Sequence, residues 1–317
     1  MRIIKVSTSF PEWPLVLQTP GGEGLWGDCR FIINDPSCTL CDAWIVYEDL
    51  VGEEEVRCPP EGRIFITGEP PFFSYEKGFL SQFSRIVTSH AFNHSGAIHE
   101  QQGLPWHIGR IQRPEGDLFI EDYDSLCTKE VPEKKMLLSA ICSTKRKTPG
   151  QILRLRLVEY LKQRLKDRLE LFGRGHHPIP CKGNAIFPAR YHLVLENHDA
   201  PHYWSEKLAD CYLGWSFPLY WGCRNLEEYF PSDSFVRIPA EDPEKACSII
   251  EALLEEDPFE SRLPSLKQSR ELVLQTYNFF ALASRLVASL PRAEPQKRRL
   301  LPRKYFRGWR RLCTWQT

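Results

Sequence analysis

One short segment of the sequence carries the side chains best suited to binding a charged ligand. A predicted strand ends in Glu196 and Asn197, a loop of about eight residues follows, and Ser205 is placed to cap a helix that begins with Glu206 and Lys207. Backbone N–H groups at such a helix N-terminus point at the ligand, and the helix dipole favours negative charge there. The Lys207 ammonium adds a full positive charge, and Glu206 can accept hydrogen bonds from sugar hydroxyls. The spacing therefore predicts a phosphate site.

The elements that must position these side chains are short apolar segments rich in Ile, Val and Phe. Segments that are apolar throughout are typical of parallel strands buried on both faces beneath helices. A first series of predicted strands covers residues 2–6, 30–33, 43–47, 63–67 and 85–88. A second series covers residues 136–143, 169–173, 191–196, 217–221 and 234–238.

Helical periodicity is clearest after the first strand of the second series, where leucine recurs every four residues from 153 to 169 with Arg and Lys between. Further helices are predicted at 206–213, 243–255 and 266–290. A polar stretch, residues 113–135, separates the two series. The pattern predicts an α/β protein with two doubly wound, Rossmann-like domains, residues 1–132 and 133–290, followed by a tail, residues 291–317.

The composition agrees with a folded protein of this size. The 317 residues are 42% hydrophobic and 26% charged, which excludes a wholly disordered chain, a collagen-like polymer and a long coiled coil. The 41 basic and 41 acidic residues balance, but nine of the basic residues and one acid follow position 291, so residues 1–291 have a net charge of −8. A phosphate backbone would repel such a body, so we expect no nucleic-acid partner. Eleven cysteines, no signal peptide and no long apolar stretch lead us to expect a cytoplasmic protein with reduced thiols.

A longer stretch around the predicted phosphate site resembles a known family. Residues 191–210 read Tyr-His-Leu-Val-Leu-Glu-Asn-His-Asp-Ala-Pro-His-Tyr-Trp-Ser-Glu-Lys-Leu-Ala-Asp, and Phe-Pro-Leu-Tyr-Trp-Gly (217–222) and Phe-Pro-Ser-Asp-Ser-Phe (230–235) follow. Together they resemble the donor-binding signature of glycosyltransferase family 10, the α-1,3/1,4-fucosyltransferases, and the chain looks like the bacterial members. Weaker matches lie upstream, in Phe65-Ile-Thr-Gly-Glu69-Pro and Gln151-Ile-Leu-Arg154. The resemblance implies a GT-B fold, in which two Rossmann-like domains face each other across a cleft, and GDP-fucose as the donor.

The resemblance also implies an inverting transfer in which a few residues have distinct roles. Glu69 would take the proton from the acceptor hydroxyl as that hydroxyl attacks C1 of fucose. Arg154 and Lys207 would neutralise the leaving diphosphate, with the nearby Arg156 as the alternative to Arg154. Because these cations do the work of a metal ion, no metal or other cofactor is required, and a divalent ion is expected at most to stimulate.

The other donor-site residues follow from the same resemblance. Glu206 and Asn197 are assigned to the guanosine ribose or the fucose, and Tyr203 is expected to pack on the donor. Glu196 ends its strand at the cleft and joins the donor-binding set. Arg174, between two glycines after a predicted strand, is a further donor-binding candidate.

Alternatives remain at this stage. Asp122 and Asp124 form an Asp-x-Asp pair after an apolar stretch, which could bind a divalent ion in a metal-dependent, GT-A-like glycosyltransferase. A catalytically inactive protein that binds a glycan, a nucleotide, a membrane or a nucleic acid is the other alternative. If Glu69 is not the base, Glu76 and Glu100 are the next candidates.

The acceptor and the location of the protein are predicted more broadly. The acceptor is expected to be an oligosaccharide or glycolipid, with fucose added to GlcNAc or Glc of a surface polysaccharide or lipid-linked precursor. The tail contains both cations and bulky apolar groups. This composition predicts that the protein binds peripherally to the anionic inner face of the cytoplasmic membrane. Those apolar residues are Leu300, Leu301, Tyr305, Phe306, Trp309, Leu312 and Trp315.

Overall fold

The computed structural model describes residues 1–307, which divide into two compact units. Unit 1 is Met1–Gln102 together with residues 279–307, and unit 2 is Gly103–Asn278. This division differs from the predicted one at 132 and 290. Residues 103–132 fold with unit 2 because two side chains bind their backbone: Trp215 Nε1 donates to Lys129 O at 3.0 Å, and the Arg270 guanidinium donates to Leu126 O.

Unit 1 is built on a seven-stranded sheet whose central strands are apolar on both faces. The order across the sheet is β2-β3-β1-β4-β6-β7-β8, and all neighbours are parallel except β2 and β3. The elements are β1 (Arg2–Thr8), β2 (Leu25–Trp26), β3 (Cys29–Ile33), β4 (Ala43–Tyr47), β5 (Glu54–Cys58), β6 (Arg63–Ile66), α1 (Lys77–Leu80), β7 (Arg85–Thr88) and β8 (Ala97–His99). All five residues of β4 are buried, as its continuous apolar sequence predicts.

Unit 2 is a five-stranded parallel sheet with helices packed on it. The order is β12-β11-β13-β14-β15, and a separate antiparallel pair, β9 with β10, precedes it. The elements are β9 (Arg110–Ile111), β10 (Leu118–Phe119), α2 (Tyr123–Thr128), β11 (Met136–Ile141), α3 (Pro149–Leu165), β12 (Leu169–Phe172), α4 (Gly183–Ile186), β13 (Ala189–Leu195), α5 (Glu206–Leu213), β14 (Phe217–Trp221), β15 (Val236–Arg237), α6 (Pro243–Glu256) and α7 (Phe259–Gln275). Each of the ten predicted strands is confirmed, with ends shifted by a few residues.

The helices that carry candidate site residues start where local sequence signals place them. Ser205 caps α5 as predicted, and its hydroxyl accepts from Lys207 N. Thr148 caps α3 and is followed by a proline, whose fixed φ suits the first helical position. The carboxyl ends of the parallel strands therefore lead into well-defined helix N-termini.

The predicted helix at 266–290 is instead two helices, α7 and α8 (Phe279–Ala288). Tyr277 packs against Trp204 and Phe230 in unit 2, with ring centroids 5.5 and 5.4 Å away, and its hydroxyl donates to Tyr229 O. Two residues later, Phe279 packs on Tyr47 in the core of unit 1. The chain thus passes from one unit to the other at residues 276–278, and because this turn contains neither Gly nor Pro, the sequence does not mark the break.

The predicted free tail is wrong for residues 296–307, which belong to unit 1. Strand β16 (Gln296–Leu300) pairs antiparallel with β5, and Leu300 is buried in the core. Leu301 exchanges two hydrogen bonds with the Gln82 side chain, at 3.0 and 2.8 Å. The last part of the predicted tail, 308–317, lies outside the described residues. Across residues 1–307 no helix is long and apolar enough to cross a membrane.

Candidate active site

The loops after β11, β12, β13 and β14 lie along one edge of the unit 2 sheet, where the carboxyl ends of its parallel strands meet. The first turn of α3 contacts the loop between β13 and α5 directly. A Cβ atom at Gly150 would lie 2.1 Å from Asn197 O, so only glycine allows this approach. The contact brings the N-terminal half of α3 to the end of β13.

Arg154 reaches this edge from α3, whereas Arg156 is exposed on the outer face of the helix. Arg154 Nη1 donates to Leu195 O at 3.2 Å, the last residue of β13. Its Nε is buried, and no hydrogen-bond partner for it exists among residues 1–307. A buried guanidinium N–H normally has a partner, so a ligand oxygen is well suited to this position.

Glu196 shapes the loop from beneath, because its side chain is 0% exposed. Its Oε1 accepts from Ser205 N at 2.8 Å and its Oε2 accepts from Ser205 Oγ at 2.6 Å. These two hydrogen bonds close the loop between β13 and α5. The predicted donor contact of Glu196 does not fit this burial, and its carboxylate instead fixes the cap of α5.

The Lys207 ammonium stands at the N-terminus of α5 among three oxygen atoms. Its Nζ lies 3.0 Å from Ser205 Oγ, 3.2 Å from Glu206 Oε1 and 3.5 Å from Glu196 Oε2. The side chain keeps about a quarter of its surface exposed. Lys207 is thus held in place and accessible, as a cation that binds a phosphate must be.

A second lysine, Lys182, joins this site without having been predicted. Its Nζ lies 2.9 Å from Asp210 Oδ2 and 3.5 Å from Glu206 Oε1, and Asp210 Oδ1 accepts from His107 N at 2.8 Å. Lys182 immediately precedes the short helix α4, and its local sequence shows no helix pattern or motif that would predict a site. Only the fold reveals it, because its partners are 24 and 28 residues away.

Burial and the two lysines determine the pKa values of the other titratable groups in this cluster. Burial, together with the nearby Lys182, lowers the pKa of both His107 and His192 to about 3, so both imidazoles are neutral. Although burial opposes it, Lys207 and Lys182 hold the pKa of Glu206 well below its usual range. Burial raises the pKa of Asp210 despite its contact with Lys182.

One cavity borders these residues, and a larger one opens at the neighbouring strands of unit 2. The smaller, of about 110 Å³, lies against β13 and α5 and is lined by the cluster just described, including His192, Glu206 and Lys207. The larger, of about 480 Å³, opens at the carboxyl ends of β14 and β15 beside Trp221 and Arg237. Arg237 is fixed there by two hydrogen bonds to Glu227, both 2.6 Å.

The other predicted donor-site residues differ in exposure. Asn197 is half-buried beside the start of α3. Arg174 is exposed on the loop after β12, and the flanking Gly173 approaches Cys142 O so closely that a Cβ atom would lie 2.0 Å away. Tyr203 is only 2% exposed, so the predicted packing of its ring on a donor does not fit.

In unit 1, Glu69 lies at the carboxyl end of β6, where the sequence predicted it, and its side chain is exposed. Its carbonyl accepts from His90 Nε2 at 2.9 Å. The alternatives are engaged elsewhere: Glu76 is ion-paired with Arg303 at 3.2 Å, and Glu100 is ion-paired with Arg285. Of these three carboxylates, Glu69 is exposed, whereas Glu76 and Glu100 are half-buried.

The Asp-x-Asp pair has a structural role at the start of α2. Asp122 caps this helix, and its Oδ1 accepts from Ser125 N at 2.8 Å in a capping box. The end of α2 lies next to Trp215, close to the amino end of β14 and therefore at the opposite edge of the sheet from Lys207. Over residues 1–307 no group of three or more His, Cys, Asp or Glu side chains is arranged to hold a metal ion.

Comparison with known proteins places the fold. No protein-family model matches the chain, and no curated protein matches it. A solved α1,3-fucosyltransferase with GDP-fucose is 13% identical, with 93% of this chain and 92% of that one covered and a TM-score of 0.50. A glycosyltransferase from Rickettsia africae is 9% identical, with 90% and 96% covered and a TM-score of 0.48.

The first likeness spans nearly the whole of both chains and shows the fold. The chain has the GT-B type of α/β fold, built from two Rossmann-like units, as the sequence predicted. At this level of identity the likeness concerns the fold alone, so an argument for function must rest on the site.

Proposed function

We propose that this protein is a glycosyltransferase that moves L-fucose from GDP-fucose to a hydroxyl of a glycan, with inversion at C1. The observation that carries the proposal is the pair of cations at the carboxyl edge of unit 2. Lys207 is held at the N-terminus of α5, and Arg154 lies at the end of β13 with a buried N–H that lacks a partner among residues 1–307. That arrangement suits a diphosphate, and the structure of the same fold described with GDP-fucose supports the choice of donor.

In this mechanism the cations stabilise the leaving group. As the bond between C1 of fucose and the diphosphate oxygen breaks, negative charge grows on that oxygen. Arg154 supplies N–H groups in a planar fork and Lys207 supplies a point charge, so both interactions strengthen toward the transition state. Lys182, which is itself paired with Asp210, holds Glu206 in place, and Glu206 accepts hydrogen bonds from a sugar hydroxyl.

The acceptor is activated from unit 1. Glu69 accepts the proton of the acceptor hydroxyl while the new bond from that oxygen to C1 forms. We propose GlcNAc or Glc of a surface polysaccharide or lipid-linked precursor as the acceptor, and an α-1,3 linkage. The metal-dependent alternative is disfavoured because the Asp122 carboxylate is engaged in the capping box at the start of α2.

Peripheral attachment to an anionic membrane remains a separate proposal. Within the described residues, four cations beyond position 291 form ion pairs with acids of unit 1: Lys297, Arg299, Arg303 and Arg307. These ion pairs reduce the positive charge that is available to attract an anionic membrane. Any such attachment therefore depends more on residues 308–317.

A panel of nucleotide sugars tests the proposal. We expect GDP-fucose to raise the melting temperature of the purified protein more than UDP- or dTDP-sugars, with excess chelator present, and we expect slow release of GDP. The Lys207→Ala protein should lose this stabilisation, whereas the Arg156→Ala protein should keep it. Stabilisation by a nucleotide sugar of another base, or only when a metal ion is added, would contradict the proposal.

A further inference from the structure

A buried carboxylate lies behind the loop that carries Glu69. Glu48 follows β4, is only 6% exposed, and has a left-handed backbone with φ of 67°. A non-glycine residue keeps this conformation only where its surroundings hold it. Its Oε2 accepts from Gly68 N and from Tyr75 Oη, both at 2.7 Å, and burial raises the pKa of its carboxyl group.

The partner of this carboxylate comes from the far end of the chain. The Arg303 side chain is 5% exposed, and its guanidinium lies 4.6 Å from the ring centroids of both Phe73 and Tyr75. Its Nη1 lies 3.5 Å from Glu48 Oε1, and its Nη2 donates to Ser74 O at 2.9 Å. A buried arginine packed against two aromatic rings fixes both the charge and the geometry of its surroundings.

These contacts tie down the backbone on both sides of Glu69. Gly68 N is bound by Glu48, and Glu69 O is bound by His90 Nε2 at 2.9 Å. The His90 ring in turn packs against Tyr75, with centroids 5.2 Å apart. The peptide that carries Glu69 is thus fixed, while its carboxylate faces outward.

We propose that Arg303 and Glu48 are positioning residues that hold Glu69 in the geometry in which it accepts the proton of the acceptor. The inference rests on the proposed function for its catalytic part. It gives the C-terminal segment a role in the reaction, because three sets of contacts place Arg303 beside Glu48. Strand β16 pairs with β5, Leu301 binds the Gln82 side chain, and Asp49 Oδ1 accepts from Arg303 N at 3.0 Å.

A double-mutant cycle separates positioning from a general structural effect. In the otherwise native protein, Arg303→Met should lower kcat for transfer by about tenfold to a hundredfold and leave the KM for GDP-fucose within about twofold. In the Glu69→Gln background the same change should cost less than about twofold, because the base it positions is already lost. Arg299→Met, on the same segment and ion-paired with the exposed Glu53, is the matched control and should leave kcat unchanged.

Two further variants keep the test decisive. If Arg303→Met does not fold, Arg303→Lys and Glu48→Gln replace it, since each keeps the size and loses part of the contact set. An equal loss of kcat with and without Glu69 would overturn the positioning role.

Amide exchange tests the inference independently of transfer. The Gly68 N–H should exchange at least about tenfold faster in the Arg303→Met protein than in the Arg299→Met protein. Unchanged exchange would overturn the inference even if transfer is never detected. Absence of transfer by the native protein with any donor would instead count against the proposed function alone.

Discussion

Lys207 makes its contacts through charge-assisted hydrogen bonds, which sets the size of the effect expected from its removal. Lys207→Ala should weaken GDP binding by about tenfold to a hundredfold, because one such contact to a diphosphate contributes on the order of 1.5–3 kcal/mol. Calorimetry on the folded variant measures this, with Arg156→Ala as the control that should bind GDP normally. Native GDP affinity in the Lys207→Ala protein would show that the diphosphate does not bind at this edge of the sheet.

The role proposed for Glu69, as the base, should not affect the affinity for GDP. Glu69→Gln keeps the size of the side chain and its hydrogen bonding but cannot accept a proton, so turnover should fall by about 10²–10⁴-fold with GDP affinity nearly unchanged. Steady-state kinetics measure the turnover and calorimetry measures the GDP affinity. The control is Glu61→Gln, which changes an exposed glutamate of the same unit. A Glu69→Gln protein with more than about a tenth of native turnover would direct attention to Glu76 and Glu100.

Lys182 gives a prediction that depends on pH. Burial raises the pKa of Asp210 above its value in the unfolded chain, so the fold favours the protonated form and the carboxylate costs stability as the pH rises. Lys182 offsets that cost. Lys182→Met should therefore lower the free energy of unfolding by about 3–5 kcal/mol at pH 8 and by less at pH 5. Melting curves at the two pH values test this against the exposed Lys166→Met, and an equal loss at both would contradict it.

At the scale of single residues, the sequence predicts what lies close together along the chain. Ser205, Glu206 and Lys207 could be found because a helix cap, a carboxylate and an ammonium follow one another directly. Lys182 and the Glu48–Arg303 pair could not be found, because their partners are brought to them only by the packing of distant elements.

Among the elements, the approach of α3 to the end of β13 depends on Gly150. Gly150→Ala places a methyl group 2.1 Å from Asn197 O, so the helix must move and Arg154 must move with it. We expect a loss of about 1–3 kcal/mol of stability and weaker GDP binding. Gly52→Ala, where a methyl group meets nothing within 4 Å, should change neither. Normal GDP affinity in the Gly150→Ala protein would show that this contact does not position Arg154.

The C-terminal segment offers a contrast between two truncations. Deletion of residues 292–317 removes β16 and uncovers the core around Leu300, whose burial contributes about 1.5–3 kcal/mol by itself, and it also removes Arg303. We expect this deletion to lower the melting temperature strongly and to abolish transfer. A chain that ends at Arg307 should keep the native melting temperature and the native rate of transfer. Equal stability of the two truncated proteins would contradict the role assigned to β16.

The same segment shows why some elements were misjudged from sequence. Residues 296–300 read as a basic tail because three of the five are cations, Lys297, Arg298 and Arg299. Strand β5, with which they form a separate two-stranded sheet, is more than 200 residues away. The helix predicted at 266–290 contains neither Gly nor Pro, so the turn at 276–278 is set by which core each aromatic ring enters.

For the whole molecule, the fold class was accessible because strands buried on both faces are apolar along their length. Two series of such strands with helices between them fit few other architectures. The assignment of residues 103–132 to unit 2 and of residues 279–307 to unit 1 could not be predicted from the sequence. A chain that crosses between two similar units shows no change of composition where it crosses.

The product of the reaction tests most directly whether the protein is an inverting fucosyltransferase. Purified protein is incubated with GDP-fucose, excess chelator and acceptors that end in GlcNAc or Glc, and the product is examined by proton NMR. We expect a fucoside with the anomeric configuration opposite to that of the donor, formed much more slowly by the Glu69→Gln and Lys207→Ala proteins than by the native protein. A product with the donor's configuration retained, or transfer that requires a divalent metal ion, would contradict this expectation.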